Sequence, residues 1–232
     1  MLSEDDIHRV PLATLNWDKL FRLIPSHFPP IDLFENVANS EDLEIVFALE
    51  ALTNDRLLEQ VGNLALVPVE GRISGKGSSP VMAAFTHIGI ASRFTDGKWY
   101  GVYYGADSLQ TAIAETKYHR AQFLATTNEP DTEITMRCYV NQVALPLHDI
   151  RGPKYDFLHQ QDYTDPQHFA AIMRNSGSNG LVYRSVRKEG GQCVAAFKPK
   201  AVTLPVQAGH YRYMYNGVKQ QIEHVLEVKL VE

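Results

Sequence analysis

Two spacings of apolar residues alternate along the chain, and each predicts a different kind of element. Apolar positions three and four apart predict helices over residues 18–24, 41–61, 109–124 and 166–175. A period of two predicts strands over 99–104, 133–147 (one long or two short), 181–186, 192–197, 211–215 and 218–229. The apolar run Ile88, Ile90, Phe94 predicts one more strand, closed by Arg93. Helices outside a set of short antiparallel strands define an α+β fold.

Residues 87–120 organise the rest as strand, turn, strand and helix. Thr95-Asp96-Gly97-Lys98 has turn chemistry. In the strand that follows, Tyr100, Val102 and Tyr104 share one face; Trp99, Gly101 and Tyr103 share the other, with Tyr103 expected in the core. Asp107 or Ser108 then caps a helix whose buried stripe is Leu109, Ala112, Ile113, Thr116, Phe123 and Leu124. Glu115 falls at the edge of that stripe, where partial desolvation acts on a carboxylate and a ligand can reach it. Arg93, Tyr104 and Glu115 thus lie on consecutive elements that can face one cleft. The plainer alternative stays open, because each is also an ordinary surface feature and an aromatic strand is also what a core requires.

The first 65 residues have a different texture. Helical spacing over 18–24 and 41–61, with Ser40 as N-cap and Pro25, Pro29 and Pro30 between, predicts a helical extension packed on a main domain of residues 66–232. Residues 71–80, GRISGKGSSP, fail the P-loop pattern because Gly71 and Gly75 are separated by three residues and Lys76 precedes Gly77. Their backbone N–H groups with Arg72 and Lys76 suit a phosphate, or form a plain surface loop. Ser185 is predicted on strand 181–186, on the face of Leu181 and Tyr183. No Gly-x-Ser-x-Gly turn surrounds it, which argues against a nucleophile and for a hydroxyl paired with a carboxylate such as Glu115. Glu189-Gly190-Gly191 and Asn216-Gly217 mark two hairpins.

Composition narrows the classes. A hydrophobic content of 44% supports a folded core, and a net charge of −5 supplies no basic surface for nucleic acid. An anionic ligand then needs cations concentrated locally, for which Arg72, Lys76, Arg93 and Arg187 are candidates. Cys138 and Cys193 sit in apolar strands and are expected as free thiols in a reducing cytoplasm. The opening MLSEDDIHRV lacks a signal-peptide core and no apolar run reaches membrane length, so a soluble cytoplasmic protein is expected. Nine histidines show no zinc-ligand spacing, and no metal is expected.

Three stretches carry a resemblance: GRISGKGSSPVMAAFTH, SRFTDGKWYGVYYGADSLQTAIAET and NGLVYRSVRKEGGQCVAAFKP. In order, within residues 67–228, they resemble the RES-domain family of toxins from bacterial toxin–antitoxin pairs. The resemblance implies an ADP-ribosyltransferase-like fold, two packed, mainly antiparallel sheets with peripheral helices and a cleft between them for NAD, a substrate rather than a cofactor. Carried over by position, the family's Arg falls on Arg93, its strand Tyr on Tyr104, its Glu on Glu115 and its Ser on Ser185, with an earlier Arg on Arg72.

The implied reaction breaks the nicotinamide–ribose bond by hydrolysis or phosphorolysis. Glu115 would stabilise the ribosyl cation and Ser185 would hold Glu115. Arg93 and Arg72 would bind the pyrophosphate, and Tyr104 would stack on the nicotinamide or lie beneath the ribose. A cognate antitoxin blocking the cleft and a homo-oligomer are also implied. The alternatives are an ADP-ribosyltransferase that modifies a protein, a non-catalytic nucleotide-binding partner protein, and an RNA-directed toxin, the last disfavoured by the acidic balance.

Overall fold

A computed structural model describes residues 9–26 and 62–229. Its strands are β1 (Leu12–Ala13), β2 (Leu20–Pro25), β3 (Tyr103–Ala106), β4 (Thr132–Asn141), β5 (Leu147–Asp149), β6 (Gly180–Arg184), β7 (Gln192–Ala196), β8 (Val206–Asn216) and β9 (Gln221–Val228). The helices are α1 (Ser79–Thr86), α2 (Leu109–Thr126) and α3 (Thr164–Asn175), with a 3₁₀ turn at Pro153–His159. The architecture is α+β: one large sheet with few helices. No described helix is long and apolar enough to cross a membrane.

The expectation of two packed sheets is corrected. Hydrogen bonding runs continuously through one sheet in the order β1-β5-β6-β7-β3-β2-β4-β8-β9, antiparallel throughout except for β5 and β6. The seam at β2 and β3 is narrow. Six residue pairs join β2 to β4, but Phe21 and Ala106 are the sole pair joining it to β3. Arg22 reinforces the seam from the side: its Nη1 donates to the Tyr104 carbonyl at 2.9 Å, and its guanidinium lies 4.5 Å over the Tyr103 ring.

Each face of this sheet carries its own core. On β6, Leu181 and Tyr183 enter one and Val182 the other; on β7, Cys193 and Ala195 enter one and Val194 and Ala196 the other. Apolar side chains of α2 and α3 cover the first face, and Val81, Met82 and Phe85 of α1 cover the second. Burial on both faces explains why residues 181–183 and 193–197 are apolar at successive positions and not only at alternate ones.

Several elements depart from the sequence pattern. The expected helix over 18–24 is strand β2, and β1 lies at the sheet's edge, so residues 12–13 and 20–25 belong to the sheet rather than to a helical annex. The expected helix over 41–61 lies outside the described residues. Residues 87–99 form a looped turn closed by a Ser92–Thr95 bridge, and the strand begins only at Tyr103. Gly97, at φ +75°, has its Cβ position within 2.7 Å of the Ile90 backbone, so the turn folds on itself at a place no side chain could occupy. Trp99, 74% exposed, points away from the core. Pro80 lies in the first turn of α1 where it read as the end of a loop, because a proline loses no hydrogen bond there.

Candidate functional site

The Ser92–Thr95 turn, which carries Arg93, is held from every side. Tyr104, on β3, aims its hydroxyl at the turn, 2.8 Å from Ser92 Oγ and accepting from the Phe94 N–H at 3.0 Å. Tyr100 Oη donates to the Phe94 carbonyl, and Gln167 Nε2 of α3 donates to the carbonyls of Ser92 and Thr95. Burial pushes the Tyr104 phenol well up, against the pull of its bonds to Ser92 and Phe94. It therefore stays a neutral strut. Tyr104→Phe should leave the Phe94 N–H without its acceptor and cost about 1–3 kcal/mol of stability. A urea midpoint equal to wild type would show the hydroxyl carries no such load.

Arg93 is buried in this frame. Its Nη1 donates to the carbonyls of Leu158 (3.0 Å) and Gln160 (2.8 Å), and its guanidinium stacks 4.9 Å from the Tyr163 ring. One end of the cation thus pins the 3₁₀ turn. The Nε–Nη2 edge makes no hydrogen bond among the described residues, and it is the edge by which Arg151 grips Asp149 at 2.9 and 2.6 Å in the same molecule. That edge suits a phosphate or carboxylate.

Glu115 and Ser185 meet across the fold. Ser108 Oγ accepts from the Thr111 N–H and starts α2 directly after β3, which sets Glu115 nearly two turns into the helix. Ser185 is the first residue beyond β6, a correction to its expected place on the strand. Its parity with Leu181 and Tyr183 still sends the hydroxyl to the α2 face. Ser185 Oγ donates to Glu115 Oε1 at 2.6 Å and accepts from the N–H groups of Arg187 (3.2 Å) and Lys188 (3.0 Å). One hydroxyl shapes the turn and fixes the acid. Glu115 keeps 18% of its side chain exposed, so a ligand can reach it.

The surroundings of the acid were not legible in the sequence. Cys193 Sγ lies 4.0 Å from Glu115 Oε1, its thiol pushed well up by burial and then by the charges of Glu115 and Asp107. Tyr183 is raised by burial and by Cys193, Glu115 and Tyr104, with Arg93 opposing, so its phenol feels both ends of the site. His119, one helical turn beyond Glu115, brings Nε2 to 4.0 Å from Oε2. Arg187 stacks 3.4 Å over Tyr118 and donates to Gln161, tying the turn after β6 to α2 and to the segment before α3. Two of them left a signal: Arg187 as a candidate cation, and His119 through its i, i+4 spacing from Glu115.

Arg72 is not brought to this place. It is buried, with Nε and Nη2 donating to the carbonyls of Val67 and Leu64, whose side chains pack in the core on the opposite face. Arg93, Tyr104, Glu115 and Ser185 all lie toward the α2 face.

An α+β domain whose single sheet sets a hydroxyl-anchored glutamate beside a clamped arginine turn is the class defined by this geometry. The chain belongs to the RES domain family, whose domain matches residues 70–216. It is 27% identical over 203 residues to the uncharacterized protein y4oC of Sinorhizobium fredii, covering 87% of this chain and 85% of that protein. Among solved structures, the MbcT-MbcA toxin-antitoxin complex of M. tuberculosis gives a TM-score of 0.39 at 16% identity, over 56% of this chain and 74% of that one.

Proposed function

We propose that this protein is the toxin of a toxin–antitoxin pair and acts by cleaving the nicotinamide–ribose bond of NAD. The observation that carries the reading is the 2.6 Å bond from Ser185 to Glu115, which holds a reachable carboxylate in one orientation. Nicotinamide leaves from a ring already positively charged, so the bond needs no strong acid. It needs a fixed negative charge where the ribose becomes cationic, and a charge oriented beforehand costs little reorganisation. The open edge of Arg93 supplies a cation for the pyrophosphate, and Tyr104 holds the turn that presents it. Arg72, on the far face, has no part in this arrangement. Family membership supports a cognate antitoxin that covers the site.

Incubating the purified protein with NAD, with and without inorganic phosphate, and resolving the products by chromatography tests the reading. Release of nicotinamide is expected, and NAD left intact by folded protein would overturn it. Arg93→Ala should weaken NAD binding by about 1.5–3 kcal/mol, the usual size of a charged hydrogen bond. Calorimetry giving the wild-type affinity would remove Arg93 from the pyrophosphate.

A further inference from the structure

Hydrolysis asks for two things at once: a negative charge beside the ribose and a base for the incoming water. Glu115 cannot serve both, because taking a proton would erase the charge that stabilises the cation. Its Oε1 already accepts from Ser185.

Four other titratable groups nearby are unsuited to the role. Burial keeps Tyr104, Tyr183 and Cys193 protonated. His159 is spent on the backbone: Nδ1 lies 2.9 Å from the Tyr155 carbonyl, and Nε2 accepts from the Arg184 N–H at 3.2 Å. His119 is different. Its ring makes no hydrogen bond among the described residues, it is 44% exposed, and Nε2 stands 4.0 Å from Glu115 Oε2. That gap is too wide for a direct bond and fits one water about 2.8 Å from each atom.

We propose that His119 is the base that activates the water attacking NAD in this site. As the water oxygen bonds ribose C1′, the C1′–N bond breaks and its electron pair leaves with nicotinamide; one water proton passes to the imidazole and then to solvent. The proposal rests on NAD hydrolysis being the activity. The charged groups facing His119 are Glu115 and Arg120 from α2, Arg93 from the 92–95 turn and Arg187 from the turn after β6. Partial desolvation among these neighbours, aided by the three arginines and opposed by Glu115, lowers its pKa below the ordinary 6.5. The ring is therefore neutral at pH 7, and activity should be lost as pH falls through that lowered value.

The test follows NAD loss against pH in phosphate-free buffer for wild type, His119→Gln and His119→Ala, with and without sodium azide. Wild type should show an acid limb below pH 6.5. Both variants should lose about 100-fold in turnover, the usual share of a general base, and the limb with it. Azide, an anion that needs no base, should restore NAD consumption in the variants. Variants with wild-type rate and limb would overturn the proposal, and so would variants that stay inactive in azide, whose histidine would be structural. Wild type that consumes NAD only when phosphate is supplied would overturn it while sparing the activity; wild type that leaves NAD intact would remove the activity itself.

Discussion

Glu115→Gln is expected to leave the fold in place and reduce nicotinamide release about 10³-fold. The size follows from charge. A carboxylate about 4 Å from a developing ribosyl cation, at an effective dielectric of about 20, contributes about 4 kcal/mol. Each 1.36 kcal/mol of barrier is a factor of ten in rate, which gives about three decades. The amide keeps the shape and can still accept from Ser185 Oγ, so the turn over Arg187 and Lys188 stays formed. Stability should change by less than about 1 kcal/mol, as at other partly exposed sites. Glu115→Ala removes the acceptor as well and should loosen that turn. Nicotinamide release by the glutamine variant at even a tenth of the wild-type rate would mean the charge is not what the reaction uses.

What the sequence revealed of this site was local or inherited by resemblance. The cap at Ser108 and the start of α2 need only neighbouring residues, and the parity of Tyr103 and Tyr104 survives although the strand starts later than the pattern suggests. The buried side of α2 was legible less well: Phe123 is exposed, while Thr111 and Ala121 are buried. Helical spacing says which residues share a side, but not which side the sheet will cover.

The turn carrying Arg93 could not be read from periodicity at all. Its shape is imposed by Tyr100 from the loop that follows it, by Tyr104 of β3 and by Gln167 of α3, and Ile88, Ile90 and Phe94 only imitate a strand's alternation. The pairing of Glu115 with Ser185 joins residues 70 positions apart. Spacing along the chain offers no measure of such a distance, and the resemblance carried that information. It did not carry it for Arg72, whose guanidinium is taken up by the carbonyls of Leu64 and Val67 just before it in the chain.

The largest misreading was β2, and it yields the prediction with the greatest effect on stability. A chain cut to residues 66–232, at the boundary the sequence suggests and close to where the family domain begins, should fail to fold. The cut removes the strand between β3 and β4, whose ladder to β4 runs from Leu20 to Pro25. Without it the sheet order breaks into β5-β6-β7-β3 and β4-β8-β9, each with a bare edge in the former interior. Leu20 leaves the core on one face, where its side chain fills the space over Gly105, and Leu23 leaves the core on the other. Emptying two such sites costs about 2–5 kcal/mol each, before any loss of ladder bonds, against a total stability of about 5–15 kcal/mol. Arg22 goes too, and with it the bond to the Tyr104 carbonyl that steadies the arginine turn from behind. The truncated chain should therefore bind hydrophobic dye and show no cooperative melt. A soluble fragment with a sharp thermal transition and wild-type strand content would mean that the two halves pack face to face without the strand between them.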